Sequence, residues 1–171
     1  MSGPLAWSHR TTEVGEAGLH QKRAATAAER AAIAEALDLI SCEELEADYV
    51  IRALQAGHFR MTGKISARLT QACVVTLEPL AQRIEEEFDV DFLPADSLPD
   101  AGDAEVEVLS APEIEPIAHG LIAAGRVIFE TLSAALDPYP RKSGARFQWE
   151  DPAGAVATGP FAALKKLKDE T

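Results

Sequence analysis

The sequence predicts an α+β fold: an antiparallel β-sheet or partly closed barrel, built as a meander of long strands, with two main helices and a flexible C-terminal tail. Three observations carry this. Polarity alternates residue by residue over three successive stretches between Glu44 and Phe92, the links between those stretches are short, and a run with helical spacing lies on either side of them. Alternation with period two marks a strand with one buried and one wet face. Short links favour antiparallel neighbours over βαβ units.

In chain order, Leu5–Val14 alternates loosely before Gly15 and Gly18 and predicts a short strand. Thr26 followed by Glu29 fits a capping box and opens a helix over residues 26–38, with Ile33 and Leu37 on its apolar side. Glu44–Leu54 predicts a strand, and Gln55–His58, containing Gly57, a tight hairpin turn. From Phe59 to Leu77 the odd positions (Phe59, Met61, Ile65, Ala67, Leu69, Cys73) face a core, and the even ones (Arg60, Thr62, Lys64, Ser66, Arg68, Thr70) face water. That stretch is too long for one straight strand and predicts a bend or bulge near Gly63 or Gln71. Arg83–Phe92 predicts a third strand, with Ile84, Glu86, Phe88, Val90 and Phe92 on one side and Arg83, Glu85, Glu87, Asp89 and Asp91 on the other. Leu93–Asp103 reads as loop and Glu105–Leu109 as a short strand. Leu121–Leu136 has the spacing of a buried helix ended by Asp137-Pro138. One domain over residues 1–140 is expected, then a tail over 141–171 that is flexible to about Gly159 and ends in a short basic amphipathic segment.

A length of 171 residues, 47% apolar and 26% charged, suits one domain with a real core. No run approaches the roughly 18 apolar residues that span a bilayer, and Met1–Arg10 lacks the apolar centre of a signal peptide. Two cysteines make no disulfide framework. A cytoplasmic protein without membrane association is the expectation. The net charge of −12 is unevenly placed: Glu78–Glu115 holds 13 acidic residues and a single base, Arg83, so the remainder of the chain is balanced. The molecule is polarised rather than uniformly acidic.

Reactive constellations do not emerge. A Gly-rich phosphate loop, a nucleophile elbow and a zinc helix are all missing from the sequence. His9, His20, His58 and His119 are scattered and read as surface or locally bonded side chains. Cys42 and Cys73 read as small buried hydrophobes. Glu85, Glu86 and Glu87 alternate faces and form no acid/base pair. No catalytic residue, metal or cofactor is assigned, so binding is expected rather than catalysis. Arg60, Lys64 and Arg68, spaced about 13 Å apart along one strand face, form with Arg52 and the intervening hydroxyls a stripe able to follow a phosphate backbone. An ordinary wet strand face accounts for the same residues, because the charges are few and stacking aromatics are missing. In the tail, Phe161, Leu164, Lys165, Lys166 and Lys168, together with Arg141, offer a partner-binding segment, or an end that packs on its own domain. Glu130, inside an apolar helix, calls for a cation such as Arg126 or Arg141.

Three stretches add a family likeness: GKISARLTQACVVTLEPL (Gly63–Leu80), EPIAHGLIAAGRVIFETLSAALDPYPR (Glu115–Arg141) and GPFAALKKLK (Gly159–Lys168). In order and spacing they resemble the YceD-like large ribosomal RNA subunit accumulation proteins in their alphaproteobacterial form, over most of the chain from about Leu39. The resemblance implies a non-enzymatic cytoplasmic factor supporting 23S ribosomal RNA accumulation and large-subunit assembly. Cys73 matches the cysteine opening the family's C-x-x-C-like strand end, Glu130 its helix glutamate and Asp137–Arg141 its D-P-Y-P-R. The second cysteine is absent here, and the family's I-D-L-G appears as Ile122-Ala-Ala-Gly125. The expected partner is large-subunit ribosomal RNA or a pre-ribosomal particle, contacted through Arg52, Arg60, Lys64 and Arg68. The alternative is an adaptor whose acidic segment binds a basic ribosomal protein with no direct RNA contact.

Overall fold

The computed structural model describes residues 3–97 and 113–146. The elements are β1 (His9–Arg10), β2 (Leu19–Ala24), α1 (Ala27–Ala36), β3 (Ser41–Ala53), β4 (Phe59–Ala72), β5 (Pro79–Pro94), β6 (Glu113–Ile117), β7 (Leu121–Ile122) and α2 (Ala124–Ala135). The main sheet runs in the order β2-β3-β4-β5-β6 and stays open; β1 and β7 form a separate antiparallel pair. The α+β prediction is met. Closure into a barrel is not, and the sheet is mixed, because β6 joins β5 in parallel.

The alternation in β4 works as predicted. Met61, Ile65, Ala67 and Leu69 are fully buried, whereas Lys64 and Arg68 are exposed. α1 packs on β3, and α2 on β4 and β5, so that Ile33, Val127, Ile128 and Leu132 close over the inward side chains. Each such side chain contributes about 1.5–3 kcal/mol by leaving water. α1 opens as its sequence demands: the Thr26 hydroxyl accepts from the Glu29 amide and the Glu29 carboxylate accepts from the Thr26 amide. The Gln55–Gly57 turn carries the β3–β4 reversal, with Gly57 at φ +74.

Several boundaries differ for identifiable reasons. The expected strand over Leu5–Val14 shrinks to His9–Arg10, followed by a 3-10 turn at Thr11–Glu13. Leu5 and Trp7 are instead spent on packing: the Gly125 amide donates to the Trp7 carbonyl at 2.7 Å, and a Cβ at position 125 would overlap the Leu5 backbone. β2 has no apolar alternation to announce it, since an edge strand is wet on most sides. Gly63 marks no bulge. It lies unbroken in both ladders and leaves room for the backbone and Cβ of Tyr49; the one register shift falls between Cys42 and Glu44. β4 ends at Ala72 because Cys73–Glu78 forms a turn closed by the Leu77 amide on the Cys73 carbonyl, with Leu77 at φ +59. β5 is longer than expected at both ends. Leu121 and Ile122, expected to be helical, pair with β1, so α2 begins at Ala124. The short strand expected at Glu105–Leu109 and the tail segment from Gly159 lie outside the described residues. So does most of the stretch expected to be flexible, but its start is held: the Lys142 amide donates to Cys73 Sγ at 3.4 Å and its ammonium pairs with Glu78 at 3.0 Å.

Candidate functional site on the outer face of the sheet

Side chains opposite one another in an antiparallel ladder share a face, so the registers assemble the outer surface directly. β3 supplies a column of Glu44, Glu46, Asp48, Val50 and Arg52. β4 supplies Arg68, Ser66, Lys64, Thr62 and Arg60 in the same order, and β5 supplies Arg83, Glu85, Glu87, Asp89 and Asp91. The four cations singled out from the sequence do lie together on one face. Carboxylates of β3 and β5 flank the β4 cations, except that Arg60 stands opposite Arg52 on one side and Arg68 opposite Arg83 on the other.

The carboxylates engage the cations. Arg60 donates from Nε and Nη2 to the two oxygens of Asp91 at 2.6 and 2.7 Å, with Asp89 at 3.6 Å. These hydrogen bonds hold the Asp91 carboxyl below its ordinary range and the guanidinium above its own. Arg68 donates to Glu44. Lys64 stands in register between Asp48 and Glu87. Among the described residues, Lys64 and Arg52 have no carboxylate within ion-pair distance. An open cleft of about 750 Å³ follows this face and is lined by Lys22, Glu46, Asp48, Lys64, Glu85 and Glu87. Its charges alternate in sign, so it presents no continuous positive track.

A second polar group sits at the sheet margin. Glu130, expected to be buried, is only half-buried on α2 and accepts from Arg126 Nε at 2.8 Å. The buried carboxylate is Glu115 of β6, at 7% exposure and 3.2 Å from Arg126 Nη1. Burial pushes its pKa up; Arg126 opposes this, while Glu130 and Glu113 reinforce it. Parallel pairing of β6 with β5 sets Glu115 beside Phe92, on the core side. Nothing in the sequence near Glu115 marks that pairing, which is why sequence reasoning placed the buried charge on α2.

The remaining candidates are dispersed. His20 bonds Asp48 at 2.7 Å on the surface. His9 is buried against the Tyr49 hydroxyl at 2.9 Å, and burial, with Arg23 nearby, lowers its pKa. Cys42 is raised by burial. Cys73 lies in the turn rather than on β4. The Thr76 hydroxyl and the amides of Lys142, Thr76 and Val75 donate to its sulfur and lower its pKa to about 6. Arg141 is exposed just beyond Pro140, and Phe161, Leu164, Lys165, Lys166 and Lys168 lie outside the described residues.

Fold and face together define an α+β protein with an open mixed sheet whose uncovered side is a lattice of opposite charges. No described helix is long and apolar enough to cross a membrane. No protein-family model, curated protein or solved structure matches the chain.

Proposed function

We propose that this protein is a non-enzymatic cytoplasmic factor that supports 23S ribosomal RNA accumulation and large ribosomal subunit assembly, engaging the assembling particle through a basic protein component. The assembly role is supported by the sequence resemblance. The mode of engagement is supported by one observation: carboxylates of β3 and β5 flank the β4 cations, and Asp91 and Glu44 already hold Arg60 and Arg68. A phosphate backbone laid on this face would meet more anions than cations, and it would have to displace the bidentate Arg60–Asp91 pair. A basic protein surface meets the two carboxylate columns favourably. The test is co-purification of the tagged full chain with large-subunit precursors before and after nuclease digestion. Retention of ribosomal proteins after digestion is expected, and their complete loss would refute engagement through protein.

Direct RNA binding is the second reading, favoured by Lys64 and Arg52, which have no carboxylate within ion-pair distance among the described residues. It predicts that the triple change R60A/K64A/R68A weakens binding of ribosomal RNA fragments and flattens the salt dependence by about 0.9 in log–log slope for each phosphate that is no longer neutralised. Under the protein reading, that slope does not move.

A further inference from the structure

β5 is paired unevenly. β4 accompanies it from Pro79 to Phe92, while β6 reaches only Val90–Pro94. Among the described residues, Pro79–Asp89 therefore has no strand neighbour on the β6 side. In an extended strand every second residue turns its N–H and C=O toward that side, and such an edge is a template for another chain.

The protection here is charge of mainly one sign, Glu86 pointing inward included, which repels another acidic strand but not a basic one. Edge strands are commonly shortened, bulged or studded with lysine. This one runs in unbroken register with β4 and carries no lysine. Its only base, Arg83, is bonded to Glu85. Glu85, Glu87 and Asp89 project from the outer side and Glu86 from the inner side, all exposed. Beside the edge, between β5 and α2, runs a groove of about 420 Å³ lined by Glu86, Phe88, Glu113, Thr131, Ala134 and Ala135.

We infer that this edge binds a basic extended segment of a protein partner as an added β-strand. Main-chain hydrogen bonds supply the register. Lysine or arginine at alternate positions meets Glu85, Glu87 and Asp89, and the intervening small apolar side chains enter the groove beside Phe88 and Ala134. Charge selects the occupant. Residues 98–112 of this chain contain Asp100, Asp103, Glu105 and Glu107 with no lysine or arginine, and like charges directly opposite one another weaken a strand pair. The inference rests on the proposed engagement of a basic protein and specifies how that protein is held.

Amide hydrogen exchange, followed by NMR on the full chain, tests it. The probe is a synthetic decapeptide alternating valine and lysine, with a valine–aspartate decapeptide as control. Protection of alternate amides between Leu80 and Asp89 should rise about tenfold or more with the basic peptide alone. The variant E85Q/E87Q/D89N, which keeps side-chain shape, should bind it about tenfold more weakly at low salt. Core amides of β4 report whether that variant is folded. Failure to bind, binding without protection of β5, or edge amides already protected in the free protein would each overturn strand addition. Binding without protection leaves the engagement of a basic protein standing, whereas loss of ribosomal proteins on nuclease digestion removes that reading whatever the peptide does.

Discussion

The two faces of β4 come from the same 14 residues but obey different rules. On the inner face Met61, Ile65 and Leu69 are stabilised by leaving water, and any apolar surroundings of the right shape will serve. On the outer face Arg60, Lys64 and Arg68 acquire their character from β3 and β5. The same cations beside neutral neighbours would form a phosphate track; beside Glu44, Asp48, Glu87 and Asp91 they form a mixed lattice with carboxylates in excess. A buried face can thus be judged from its own strand. An exposed one cannot.

Substitutions can break or sharpen this contrast. The largest expected effect is inside: Ile65→Ala or Met61→Ala should lower unfolding free energy by about 2–5 kcal/mol, read by denaturant titration. Gly63→Ala comes next at about 1–3 kcal/mol, because its Cβ would press on the Asp48 carbonyl and on Tyr49. On the outside, Arg60→Met should cost much less than either, and less still in high salt, since its side chain is 43% exposed despite the bidentate pair. Lys64→Met, with no ion pair among the described residues to lose, should change stability by less than about 0.5 kcal/mol. An outer-face loss as large as the inner one would show that the charge lattice holds the fold together.

The gentlest comparison is by pH. Asp91 and Glu115 each face one arginine but shift in opposite directions. Asp91 is lowered by its hydrogen bonds to Arg60, so its contribution to stability is present above the ordinary aspartate range and is lost as pH falls through the lowered value. Glu115 is raised by burial, so its contribution is full at low pH and is lost as pH rises through the raised value. Carboxyl carbon NMR titration should place the two midpoints on opposite sides of the ordinary carboxylate range. Equal midpoints would mean that Glu115 is as well solvated as Asp91.

Local patterns made much of this molecule legible. Thr26 and Glu29 announced α1, Gly57 announced its turn, and the odd–even pattern of β4 and β5 assigned both faces. What escaped was set by partners distant in sequence. β2 borrows its conformation from β3 and has no apolar signature of its own. β6 is parallel to β5, and only that pairing turns Glu115 inward in place of Glu130. The cations of the candidate site were legible as a set, and so were the acids of β5 that share their face. The neutralisation of one by the other depended on register, which requires the positions of both hairpin turns. Cys73 looked like the end of a strand because the turn that contains it is written in backbone hydrogen bonds rather than in glycine or asparagine.

The clasp of the N-terminal segment on α2 has a consequence for synthesis. Trp7 bonds Gly125, His9 pairs with Ile122, and the same segment covers Tyr49. A chain emerging from the ribosome at about 5–20 residues per second holds those first residues without their final partners for on the order of 10 s. The β3–β4–β5 hairpins can form during that interval, but the layer closes only after α2 has appeared, so early truncations should leave the inner face of the sheet bare to solvent and to chaperones.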